Sequence, residues 1–147
     1  MNTSASILSI AKSTIELESK AIAHLSDLLT EDFANSVELI YNSKGRVIIT
    51  GIGKSAIIAN KIVATLNSTG TPAIFMHAAD AIHGDLGLIL EDDVVICISK
   101  SGNTPEIKVL VPLIKNAKNK MIAITGNKDS FLGQQADYIL NAYVEQE

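Results

Sequence analysis

The chain has 147 residues, 47% of them hydrophobic and 19% charged, with a formal net charge of −4. That is the length of one domain with enough apolar surface for a core, which excludes intrinsic disorder. Of the 12 basic residues only Arg46 is an arginine. No basic face is expected, so nucleic acid and anionic membranes are not expected partners, and a bound phosphate would need amides, hydroxyls and lysine.

Residues 4–29 carry a helical pattern in which Leu8, Ile15, Ile22 and Leu29 recur every seven positions, with Ala11 and Leu25 on the same side. Such a repeat fits a seam for a partner helix or a helix lying across its own domain. His24 reads as a surface or packing residue there. Thr30 is placed to cap a second helix over 31–42, with Phe33, Val37, Ile40 and Tyr41 as its stripe.

From residue 46 onward, short β-branched runs alternate with helical stretches. The pattern predicts strands over 46–50, 73–77, 93–99, 120–125 and 137–144. It predicts helices over 54–68, 104–116 and 130–135, and residues 78–86 read as helical or irregular. Pro105 suits the first position of its helix, whereas Pro112 predicts a kink or an early end. Cys97 reads as a buried small hydrophobe, and as the lone cysteine it permits no internal disulfide. The N-terminus lacks a signal-peptide pattern and no apolar run approaches ~18 residues, so the expectation is a soluble, cytoplasmic protein.

Continuous rather than alternating apolar runs imply strands buried on both faces. The expected fold class is therefore α/β, with a parallel five-stranded sheet, helices on both faces and an N-terminal helical segment. In the flavodoxin-like order 2-1-3-4-5, strands 1 and 3 are neighbours, and ligands bind where their loops diverge at the carboxyl ends.

Two of those loops carry candidate chemistry. After strand 1 comes Gly51-Ile52-Gly53-Lys54-Ser55. A Walker A motif fails, because the position five before Gly53 is Ile48. A dinucleotide fingerprint matches at Gly51, Gly53 and Ala56, but no acid follows strand 2 before Asp80. A small-anion site at a helix N-terminus and a plain structural turn also remain open. After strand 3 comes Ser99-Lys100-Ser101-Gly102-Asn103-Thr104, then Pro105 and Glu106. Three hydroxyls beside a helix start form a phosphate cradle without arginine. Helix capping would explain Thr104 and Pro105, but not the two serines. Between strands 2 and 3 lie His77, Asp80, His83 and Asp85; the six-residue separation of the histidines fits no helical face, which disfavours a metal.

These motifs, together with Ser68-Thr69-Gly70-Thr71-Pro72 and the stretch His77 to Gly87, resemble the SIS (sugar isomerase) domain of the arabinose-5-phosphate isomerase family. The resemblance runs over essentially the whole chain. It implies interconversion of D-ribulose 5-phosphate and D-arabinose 5-phosphate, the entry step to Kdo for lipopolysaccharide or capsule, without a cofactor. It implies phosphate binding by Ser55, Ser99, Ser101 and Thr104, with Gly53 and Gly102 in the two loops. Lys54, His83, Glu106 and Glu147 match the family's functional polar residues. For the chemistry, Glu106 or Glu147 is expected as base, Lys54 as charge stabiliser, and His83 in ring opening or proton transfer between oxygens. A non-catalytic sugar-phosphate-binding regulatory domain is the alternative. The resemblance also implies self-association of this chain, as a homodimer or homotetramer. Family members continue past the residue matching Glu147 into a further helix, another histidine and CBS domains, so the expectation is a single SIS domain lacking its C-terminal helix.

Overall fold

Five short apolar runs form the strands of one parallel sheet. In the computed structural model, which describes residues 3–145, they are β1 (Val47–Gly51), β2 (Ala73–His77), β3 (Val94–Ile98), β4 (Met121–Thr125) and β5 (Tyr138–Asn141). Their spatial order is β2-β1-β3-β4-β5. The helices are α1 (Ser4–Leu28), α2 (Glu31–Asn42), α3 (Lys54–Ser68), α4 (Ala78–Ala81), α5 (Pro105–Asn116) and α6 (Phe131–Gln135); a 3₁₀ turn spans Asp85–Leu88.

Every residue of β1 and β3 is buried, as two-sided coverage requires. On one face, Ile48, Val95, Cys97 and Met121 pack under α4, α5 and α6 through Ala81, Ile107, Leu110, Ile114 and Leu132. On the other, Ile49, Val94, Ile96 and Ile122 pack under α3 and α2 through Ala59, Val63, Leu39 and Ile40. Cys97 is fully buried, and burial pushes its thiol up to about 12. At the open edge of β5, the Asp32 carboxylate of α2 accepts from the Ile139 amide at 2.9 Å, which occupies a donor that an edge strand would otherwise expose.

The end of the sheet opposite the ligand-binding end is fastened by the single arginine. Arg46 donates through Nη2 to Asp93 Oδ2 at 2.6 Å and through Nε to Oδ1 at 3.2 Å, while its amide reaches Oδ1 at 2.7 Å. Nη2 also reaches the Leu88 carbonyl at 2.7 Å, and Leu90 N donates to Asp93 Oδ2 at 2.9 Å. Burial alone would raise the Asp93 carboxyl, but the Arg46 guanidinium and the amides of Leu90 and Arg46 outweigh it and hold it below the usual carboxylate range.

Three expectations are adjusted. α5 continues to Asn116 with Pro112 inside it. Both Pro112 and Lys108 are exposed, so the carbonyl that loses its helical partner faces water and the helix need not break. β5 ends at Asn141 rather than Val144, where Asn141 Oδ1 accepts from Tyr143 N at 3.1 Å and turns the chain. Thr30 stands at the N-cap of α2 but makes no side-chain capping bond; its carbonyl accepts from Phe33 N instead. α1 has no buried residue, and it carries two stripes rather than one. Leu17 and Ala21, with His24, face Tyr143 and Val144 across a cavity of about 270 Å³. The heptad stripe of Leu8, Ile15, Ile22 and Leu29 is exposed. Among the described residues, no helix is long and apolar enough to cross a membrane.

Candidate active site

β1 and β3 are neighbours whose terminal residues, Gly51 and Ile98, are register partners. The helices that follow them leave to opposite faces, α3 to one and α5 to the other. This divergence is the switch point at which an open parallel sheet leaves a crevice. A cavity of about 530 Å³ occupies it, and Ser55, Ser99, Ser101 and Thr104 all line it.

The backbone of the serine loop is arranged to present donors. Its carbonyls are tied on the far side: Lys100 O accepts from Gly126 N at 3.0 Å and from Thr125 Oγ1 at 3.2 Å, Ser101 O from Asn103 Nδ2 at 3.1 Å, and Gly102 O from Leu132 N at 3.0 Å. Gly102 N donates to Ser99 Oγ at 3.1 Å, which closes the turn. Gly102 holds φ at +64°, and a Cβ there would fall on the Ser130 side chain, so the turn requires glycine on both counts. Among the described residues, the amides of Ser101 and Thr104 have no acceptor.

Thr104 is the N-cap residue of α5 yet makes no capping bond, and its Oγ1 is buried without a partner. Capping therefore does not account for this hydroxyl, whereas a phosphate oxygen in the crevice would satisfy it. α3 adds a second donor group. Gly53, at φ +58°, is its N-cap, and the first-turn amides of Lys54 and Ser55 point out of the helix without acceptors in it. Two helix N-termini and a set of hydroxyls thus converge where, among the described residues, no acidic side chain lines the cavity.

A family model described as the SIS domain matches residues 39–147. The chain belongs to the SIS domain family. It is 47% identical over 137 residues to arabinose 5-phosphate isomerase KdsD of Pseudomonas aeruginosa, covering 93% of this chain and 42% of that protein. It is 44% identical over 142 residues to arabinose 5-phosphate isomerase KpsF of Escherichia coli O6:H1, covering 96% and 43%. Among solved structures, Escherichia coli CFT073 c3406 in complex with A5P superposes with a TM-score of 0.93 at 38% identity, over 99% of this chain and 77% of that one. The chain therefore spans less than half the length of these two isomerases.

Within this SIS fold, three of the residues expected to do chemistry, Lys54, His83 and Glu106, occupy separate elements at the carboxyl end of the sheet. Lys54 opens α3 and is exposed. His83 is exposed in the turn after α4, with its amide donating to Asp80 O at 2.9 Å. Glu106 is the second residue of α5 and is half-buried. These three are not among the residues that line the cavity, and Glu147 lies outside the described residues. Among the described residues, no three His, Cys, Asp or Glu side chains gather as a metal site. The sequence reading missed Ile52, Lys100, Gly126, Asn127, Tyr143 and Val144 as cavity walls. Gly126 and Asn127 could have been found, since they follow β4 at the carboxyl end where ligands bind. Nothing local marks Tyr143 and Val144.

Proposed function

We propose that the chain is the sugar-phosphate-binding SIS domain of an aldose–ketose isomerase that interconverts D-ribulose 5-phosphate and D-arabinose 5-phosphate in the cytoplasm, at the entry to Kdo for lipopolysaccharide or capsule. The observation that carries it is the cradle of Ser55, Ser99, Ser101 and Thr104 at the β1–β3 crevice, in a chain 38–47% identical over nearly its whole length to the two isomerases and the A5P complex. The hydroxyls and first-turn amides hold the phosphate, and Gly53 and Gly102 let the backbone approach it closely.

The reaction moves one proton from C1 to C2 and another from O1 to O2. A base takes the first from C1 of the ketose, the enediol forms, and the proton returns at C2 to give the aldose. Glu106 or Glu147 is the base, Lys54 stabilises the developing enediolate oxygen, and His83 assists ring opening or proton transfer between O1 and O2. No cofactor takes part in these steps. The test is an assay of the full-length chain on ribulose 5-phosphate with chromatographic detection of arabinose 5-phosphate. Product is expected. Saturable binding without product would favour the regulatory domain instead.

The same reading includes self-association into a homodimer or homotetramer. Leu8, Ile15 and Ile22 on α1 are 62%, 65% and 69% exposed, more apolar surface than one helix ordinarily leaves to water. Light scattering should give a multiple of the monomer mass, and Ile15→Glu with Ile22→Glu should reduce it. A wild-type monomer at working concentration would contradict this part.

A further inference from the structure

The phosphate loop is short, polar and exposed at Ser101 and Asn103. A loop of that kind holds a precise shape only if something outside it fixes its backbone. We infer that Asn103 is a positioning residue for phosphate binding, fastening the serine loop to the segment that follows β4; this rests on the reading of the crevice as a phosphate site.

Asn103 bonds in both directions. Its Oδ1 accepts from the Phe131 amide at 3.1 Å, 28 residues along the chain. Phe131 is the first residue of α6, so this amide is one of the donors a helix leaves unpaired, and Asn103 supplies its partner. On the other side, Asn103 Nδ2 donates to Ser101 O at 3.1 Å and Asn103 N donates to Ser101 Oγ at 3.3 Å. One side chain therefore sets the peptide plane of Ser101 and ties it to a helix packed in the core through the buried Leu132. The neighbouring bond from Leu132 N to Gly102 O, and the buried Ser130 behind Gly102, complete the backing. With Ser101 O held towards Asn103, the Gly102 amide of the same peptide keeps its 3.1 Å bond to Ser99 Oγ, and the turn that presents Ser101 to the crevice keeps its shape. Asn103 itself does not line the cavity, so its effect on a ligand is transmitted through Ser101.

The experiment compares wild type, Asn103→Ala and Asn103→Asp in the full-length chain. Inorganic phosphate binding is read by calorimetry, ribulose 5-phosphate turnover by KM and kcat, and folding by Tm. Asn103→Ala should weaken phosphate binding and raise KM about five- to tenfold, the loss of one or two net hydrogen bonds, with kcat within about twofold. Tm should fall by no more than ~3 °C, because the side chain is exposed. Asn103→Asp keeps the acceptor for the Phe131 amide but loses the donor to Ser101 O, so at high salt, where its added charge is screened, it should recover part of the phosphate affinity that Asn103→Ala loses. Unchanged phosphate affinity in Asn103→Ala overturns the inference. So does a loss in kcat that parallels a large drop in Tm and is not rescued by aspartate. A wild-type chain that binds phosphate but turns nothing over sinks the isomerase reading, while the phosphate affinities still decide the role of Asn103. A wild-type chain that binds no phosphate sinks both.

Discussion

Glu106→Gln is expected to lower kcat for ribulose 5-phosphate by roughly 10²–10⁴-fold in the full-length chain, which is what a positioned proton-transfer group contributes. Glu106 sits in the first turn of α5, two residues beyond Thr104, which lines the crevice cavity. Glutamine keeps its size and removes only the proton acceptor. A purely structural Glu106 would behave differently. As a first-turn acid it would interact with the helix dipole for no more than ~1 kcal/mol, and its replacement would leave kcat alone. Glu147 is the other candidate base, and Glu147→Gln belongs in the same steady-state measurement. A large loss in one variant identifies the base; wild-type turnover in both contradicts the assignment.

The second large effect lies at the far end of the sheet, away from the chemistry. Asp93→Asn should destabilise the fold by about 3 kcal/mol, because it removes the charge partner of Arg46 inside a half-closed network. For a chain of this size that corresponds to a fall in Tm of roughly 6–12 °C. The Asp93 side chain has no exposed surface and the Arg46 side chain retains only 29%, so water cannot take over the pairing. The pH dependence follows from the depressed Asp93 carboxyl. A group whose folded value lies below its unfolded one stabilises the fold above the unfolded value of about 3.9, and that stabilisation is lost as pH falls through the folded value. The gap between wild type and Asp93→Asn in thermal melts should therefore be full near neutrality and close in acid. A gap independent of pH would show that packing rather than charge is at work. Asp137 contributes in the same direction: burial would raise it, but Lys120, the Met121 amide and Lys115 hold it down, which steepens the acid limb in both proteins.

The sheet was legible because its strands are buried on both faces. Runs such as Val94–Ile98 leave no doubt about their surroundings, and the alternation with helices implies parallel strands. What the pattern could not supply were the ends and the exceptions. β5 stops where β4 no longer offers it a ladder, and the Asn141 side chain turns the chain, a choice invisible in a run of β-favouring residues. Pro112 survives in α5 because its face is exposed, a tertiary circumstance. α1 shows one clear heptad stripe in sequence, but its second contact, Leu17 and Ala21 against Tyr143 and Val144, depends on a segment more than 100 residues away.

The candidate site divides in the same way. The hydroxyls and glycines of each crevice loop are contiguous in sequence, so the order of residues alone displays their chemistry. The backing of the serine loop is not contiguous. The bonds from Phe131 and Leu132 to Asn103 and Gly102 join loops that follow different strands, and no motif announces them. Thr104 has the sequence signature of an ordinary cap, and only the fold shows its hydroxyl to be buried and without a bond.

The most direct measurement is nuclear magnetic resonance of arabinose 5-phosphate incubated with the full-length chain in deuterated water. Proton abstraction through an enediol predicts that ribulose 5-phosphate forms and that deuterium from solvent enters the sugar phosphate at the carbons that exchange the proton, both at a rate that falls with Glu106→Gln or Glu147→Gln. Saturable binding of the sugar phosphate with neither interconversion nor deuterium incorporation would contradict the isomerase assignment and leave a sugar-phosphate-binding domain in its place.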